Sequence, residues 1–150
     1  MKEPAVADST CLIGLERIGR LDLLKALFEP IIIPPKVQEE FGATLEWLKV
    51  QTPSNQMLVN VLKFVVDEGE AEAIALALEK GWRLIVDDRK ARIWAKRLGI
   101  KVIGTAGILV RAKRAGLVSS IKPLLEALKQ TGFHLSSDLV EEVLRLVGEE

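Results

Sequence analysis

The sequence contains one cysteine and one histidine in 150 residues. With Cys11 alone no intrachain disulfide can form, which suits a reducing compartment. With His134 as the sole imidazole, a zinc site of the histidine–cysteine type is all but excluded, and so are Ser-His-Asp and Cys-His catalysis. Long apolar runs are missing too: no stretch approaches the ~20 residues that a membrane span needs. The opening Met1-Lys2-Glu3-Pro4 has no apolar run of signal-peptide length, so the expected location is the cytoplasm, away from membranes. The 21 basic and 21 acidic side chains cancel. Net charge therefore names no partner, and only the distribution of charge can.

Aliphatic residues are what the chain has in quantity. It is 49% hydrophobic and 28% charged, enough to bury a core without disulfides and too apolar for disorder. The length predicts one domain over residues 1–150. Pro4–Ala7 reads as a buried strand that runs into Asp8-Ser9-Thr10, all helix-capping types. Helical spacing follows from Leu12 to Phe28, broken near Gly19. Ile31–Ile33 is a second strand, and Pro35–Phe41 a short helix closed by Gly42. Leu45–Val50 fits either a strand or a helical turn. Met57–Val66 and Glu70–Lys80 read as helices, the second closed by Gly81. Arg83–Val86 is a third strand, Arg89–Leu98 a helix and Gly99–Ile103 a fourth strand. Helices over about 105–115, 122–130 and 137–147 complete the chain.

Strands without polar alternation are buried on both faces, so they imply a mainly parallel sheet covered on each side by helices. The expected fold is an α/β protein, a three-layer α/β/α sandwich with extra C-terminal helices. Sites in such sheets form beyond the carboxyl ends of the strands. Asp8 follows the first strand, and Asp87 and Asp88 follow the third. Glu40 lies one short helix past the second, and Glu70 opens the helix that feeds the third. Carboxylates without nitrogen or sulfur partners suit Mg²⁺ or Mn²⁺, hard cations that take oxygen ligands and keep several waters. Such a site can activate water and neutralise a phosphoryl group.

Val6-Ala7-Asp8-Ser9-Thr10 resembles the opening of a PIN domain, a strand ending in an Asp followed by a small hydroxyl residue. Pro34-Pro35-Lys36-Val37-Gln38-Glu39-Glu40 is similar to the second motif of that family and places its acid at Glu40. Gly69-Glu70-Ala71-Glu72-Ala73 resembles the third, and Ile85-Val86-Asp87-Asp88-Arg89 the fourth. Gly104 to Leu109 and the C-terminal helices look like a branch of small stand-alone prokaryotic members. The resemblance covers about the first 120 residues and implies a metal-dependent ribonuclease, often a homodimer. Its best-known small members are toxins of toxin–antitoxin pairs, which implies RNA as substrate and an antitoxin protein as partner. Where many toxin members have Thr or Ser before the fourth acid, this chain has paired aspartates, which leaves Asp87 and Asp88 as alternatives. Glu70 and Glu72 are alternatives too, with Glu70 the better match. A PIN-like module that binds nucleic acid or dimerises without cutting is the competing reading.

Taken singly, each acid has a structural explanation. Asp8 can cap a helix, and Glu70, Asp87 and Asp88 suit helix N-termini. Glu40 sits in a last helical turn, where the dipole disfavours an acid. From Arg89 to Arg114 there are nine basic residues and no acid. Beside an acidic site this stretch suits phosphate binding, with Arg89, Lys90, Arg92 and Lys96 foremost and Ser9 and Thr10 near the acids. An equal alternative is a solvated helix face. Trp47, Trp82 and Trp94 read as core or interface residues, and Cys11 and His134 as structural. Leu21, Leu24, Leu27 and Phe28, with Val110 and Leu117, are the expected dimer stripes. Other α/β sites are disfavoured. A haloacid-dehalogenase phosphatase needs an Asp where Thr10 stands, a receiver domain pairs its acids after the first strand, and a dinucleotide fold needs a glycine-rich first turn.

Overall fold

The computed structural model describes residues 2–150. Five parallel strands form one sheet: β1 (Glu3–Ala7), β2 (Phe28–Ile33), β3 (Leu48–Val50), β4 (Arg83–Ile85) and β5 (Val102–Ile103). Their order is β3-β2-β1-β4-β5. The helices α1 (Ser9–Arg17), α2 (Asp22–Leu27) and α3 (Pro35–Phe41) belong to the first half. Helices α4 (Gln56–Leu62), α5 (Glu68–Lys80) and α6 (Arg89–Arg97) come next, then α7 (Thr105–Arg114), α8 (Lys122–Gln130) and α9 (Ser137–Leu146).

The alternation of side chains along each strand divides the core in two. Ala5, Ala7, Ile31, Ile33 and Ile85 point to one face, where they meet α1, α2 and α7–α9. Val6, Ile32, Leu84 and Val86 point to the other, against α4, α5 and α6. Both faces of the sheet are covered, as the three-layer reading requires, and each fully buried Leu or Ile contributes about 1.5–3 kcal/mol. Ala7 pairs with Ile85 across β1 and β4, so the residues after both strands emerge side by side. The strand order reverses at this position, and the crevice it opens is where α/β folds place ligands.

Three local readings needed correction or completion. Phe28 belongs to β2 rather than to the preceding helix, because Pro30 disfavours helix at Glu29 and Phe28 pairs with Glu3. Residues 48–50 resolve as an edge strand on β2, with only Leu48 buried, which explains why no alternation marks it. Helix α4 stops at Leu62 rather than Val66, because the chain must turn to start the cap of α5 at Asp67. Gly42 and Gly81 close α3 and α5 in the left-handed conformation that a side chain would strain. The stripe Leu21, Leu24, Leu27 and Phe28 packs into the protein's own core, as does Val110. Of the expected stripe residues only Leu117 is exposed, and the most exposed apolar side chains lie on and just after α4, at Met57, Val61 and Phe64. Trp47, Trp82 and Trp94 are partly buried against the core, in line with the structural reading.

The C-terminal helices are fastened by one carboxylate. Glu149 accepts hydrogen bonds from the Ser120 hydroxyl, the Ile121 and Lys122 N–H groups and Lys113 Nζ. It thereby caps α8, whose own N-cap residue, Ile121, has no capping side chain. Partial burial works against its charge, but these donors outweigh it and hold the Glu149 pKa at about 2. Because the folded pKa lies below the unfolded one, this stabilisation is present above about pH 4 and is lost as pH falls toward 2. Glu149→Gln is expected to cost about 1–2 kcal/mol at neutral pH and almost nothing near pH 2. Denaturant titrations at both pH values check this, and an equal loss at each would show that charge is not involved.

Candidate active site

Asp8 leaves the end of β1 and still pairs with the sheet, its N–H donating to the Ile85 carbonyl at 2.9 Å. It occupies the N-cap position of α1 but its side chain makes no capping bond. The simplest structural explanation for a buried Asp here, helix capping, is therefore not realised. Only 3% of Asp8 is exposed. Burial pushes its pKa up to about 7; the Ser9 N–H opposes this, and the negative charges of Glu70, Asp67 and Glu40 add to it.

Glu70 reaches the same region from the first turn of α5. It forms a reciprocal capping box with Asp67: the Glu70 N–H donates to Asp67 Oδ1 at 2.7 Å, and the Asp67 N–H donates to Glu70 Oε1 at 3.1 Å. Burial pushes the Glu70 pKa up to about 7 as well, against the Asp67 N–H and with help from Asp67, Asp88 and Glu40. Glu72 faces elsewhere and accepts from the Lys36 N–H at 3.1 Å, capping α3. Of the two alternatives, Glu70 is the one the structure places with Asp8.

Glu40 arrives from the last turn of α3, and Ser9 Oγ donates to its Oε1 at 3.0 Å. The carboxylate passes so close to α5 that a Cβ on Gly69 would lie 2.6 Å from Glu40 Oε1. A glycine here gives the acid its path. Ser9, expected near nucleic acid, is nearly buried, and its hydroxyl is committed to Glu40.

After β4 the two aspartates divide their tasks. Asp87 accepts from the Thr105 N–H at 2.8 Å and from Thr105 Oγ1 at 2.7 Å, tying β4 to the start of α7. Burial raises its pKa, while Thr105 and Arg92 oppose that rise. Asp88 caps α6 by accepting from the Ala91 N–H at 3.0 Å. Cys11 is fully buried, and its thiol pKa is raised first by burial and then by the Asp87 charge, which makes it an inert core residue.

Asp67, Glu70, Asp87 and Asp88 line one side of an open cleft of about 770 Å³. Arg89 and Thr10 line it as well. Arg92 directs Nη1 to the Val86 carbonyl at 3.1 Å, just behind Asp87, whereas Lys90 and Lys96 are exposed on α6. The far end of the basic stretch is elsewhere: Arg111 pairs with Glu3 at 2.9 Å and Lys113 with Glu149 at 2.9 Å. Two contributions escaped the sequence reading. Asp67 had a signal, since Asp-x-x-Glu ahead of an apolar helix marks a capping box. The loop 131–134 between α8 and α9, including His134, had none, yet it lines the same cleft.

Among the described residues no three His, Cys, Asp or Glu side chains are drawn together tightly enough to clamp an ion as they stand. The donor set nonetheless fits a hard cation. All the convergent groups offer oxygen, and Mg²⁺ keeps most of its waters, needing only one or two direct carboxylates. Asp8 and Glu70 are both buried with raised pKa values, chiefly through burial and in part through the charge of neighbouring acids, a penalty that a bound cation would relieve.

A parallel α/β sheet with carboxylates and an arginine at the cleft by its switch point is an arrangement suited to a metal-dependent enzyme acting on phosphate esters. The DUF3368 family model, described as a PIN domain, matches residues 4–149, and the chain belongs to that family. Membership carries a nuclease-type function in general, acting on nucleic acid and generally using divalent metal ions. No curated protein matches the chain. Among the described residues no helix is long and apolar enough to cross a membrane.

Proposed function

We propose that residues 1–150 form one domain that hydrolyses RNA phosphodiester bonds as a Mg²⁺- or Mn²⁺-dependent endoribonuclease. The observation that carries the reading is a buried Asp8 that feels the charge of Glu70 and Glu40, beside a cleft lined by Glu70, Asp87, Asp88 and Arg89. When bound, the cation supplies charge neutralisation at the phosphoryl group and a more acidic water. Asp8 and Glu70 are its principal holders, with Glu40 and Asp88 close enough for their charge to act on Glu70. Asp87 is kept in place by Thr105, and Ser9 aims Glu40. Arg89 and Arg92 oppose the acids and suit the negative backbone of the substrate.

Narrower readings accompany this one: a cytoplasmic two-fold homodimer, with the exposed face of Met57, Val61 and Phe64 open for pairing, and an antitoxin partner. The absence of a tight ion clamp among the described residues favours a second reading, a PIN-like module that binds or dimerises without cutting. One set of measurements separates them. Purified protein incubated with single-stranded RNA should cleave it in millimolar Mn²⁺ or Mg²⁺ and leave it intact in EDTA. RNA that is retained but uncut at every metal concentration would establish the non-catalytic module. Light scattering on the same sample should give twice the 16.6 kDa chain mass. Growth arrest on expression, absent with Asp8→Asn, would mark a toxin.

A further inference from the structure

The acids and Arg89 form only one side of the cleft. The other side comes from α1, through Ile13, Gly14 and Arg17, and from the loop 131–134. That loop is held by close packing. A Cβ on Gly14 would lie 2.7 Å from the Phe133 ring, so glycine on α1 leaves room for that ring, while Leu128 of α8 packs alongside at ordinary contact distance. The Phe133 N–H also donates to the Leu128 carbonyl at 3.0 Å. The ring thus serves as an anchor for the loop. His134 next to it is exposed and lines the cleft, as does Arg17 at the end of α1. Neither Arg17 nor Arg89 forms an ion pair among the described residues.

Uncommitted cations facing a bank of acids suit a polyanion that needs its scissile phosphate at the acids and its flanking phosphates away from them. The cleft volume of about 770 Å³ lies in the range of small-ligand sites, ~300–1,000 Å³, and it is walled on both sides. An open trough of this volume accommodates a short extended strand. We propose that Arg17 and His134 form a second phosphate-binding wall, which with Arg89 threads a single nucleic-acid strand past the acids. This rests on the nuclease reading and adds the wall supplied by the C-terminal helices.

The test is fluorescence anisotropy with a labelled single-stranded oligoribonucleotide in millimolar Ca²⁺, a hard cation that stands in at the acids. The oligonucleotide is checked for integrity afterwards. Arg17→Ala with His134→Ala should weaken binding about tenfold and reduce the slope of log affinity against log salt by about one. The Mn²⁺-induced rise in thermal midpoint should persist in the variant, showing an intact acid cluster. A duplex of the same sequence should bind less tightly. If the variant binds like wild type, the second wall is refuted and the nuclease reading stands. Preference for the duplex also refutes it. A wild type that binds neither form at low salt removes the nuclease reading and this inference together.

Discussion

Asp8→Asn is expected to abolish metal-dependent RNA cleavage, lowering the rate by more than about a hundredfold, without unfolding the protein. Loss of groups that merely orient metal ligands typically costs 10–100-fold, and the proposed function makes Asp8 a direct ligand. The stability side has the opposite sign. Asp8 is buried with its pKa pushed up to about 7, so near neutral pH its ionised form is disfavoured by the fold. An amide of the same shape carries no such charge. In EDTA the Asn variant should therefore melt no lower than wild type, and it should lose most of the upward thermal shift that Mn²⁺ produces in wild type. Thermal melts with and without Mn²⁺, run beside the cleavage assay, read both effects. If Asp8→Asn protein cuts RNA as fast as wild type, the activity comes from another site or a contaminant.

Gly69→Ala should separate stability from activity. Position 69 lies in the first turn of α5, where alanine gains up to about 1 kcal/mol over glycine in helix propensity. The new methyl group would meet only the carboxyl group of Glu40, the end of a flexible side chain, which can swing away. The protein should stay folded with an unchanged or slightly higher midpoint. Glu40 would lose its hydrogen bond from Ser9 and its approach to the acids. Cleavage should fall about tenfold or more, and higher Mn²⁺ should restore part of it. Full activity in Gly69→Ala protein would mean that Glu40 is dispensable.

The fold was legible where burial on both faces removes ambiguity. Pro4–Ala7, Ile31–Ile33 and Leu84–Val86 carry unbroken apolar runs, and all lie in the inner part of the sheet. The edge strand Leu48–Val50 was not legible, because two of its three side chains face solvent and no pattern separates it from a turn. Amphipathic spacing located the helix containing Leu24 and Leu27 but could not say what its apolar face covers, and the answer is the protein's own core.

The acids were legible by position, because a residue just past a parallel strand has few places to go. Their division of labour was not. That Glu72 caps α3 while Glu70 stays with Asp8 depends on how two helices pack. The basic run shows the limit of reading along a line. Arg89 and Arg111 share a stretch without acids, yet one lines the cleft and the other pairs with Glu3 at the start of β1. His134 reaches the cleft only through α8 packing on α1 across more than a hundred residues of chain.

The central position of β1 bears on how the protein comes into being. Its first partner, β2, is supplied early, but its second, β4, is made only after α5 has been synthesised. Contacts between such distant segments form slowly, since a long loop must close before they contribute. A ribosome that has released the first seventy residues holds Asp8, Glu40 and Glu70, but not the strand that sets Asp87 beside them or the helices that build the far wall. The site is thus assembled last. A chain that has not yet reached β4 and the C-terminal helices therefore lacks the completed cleft.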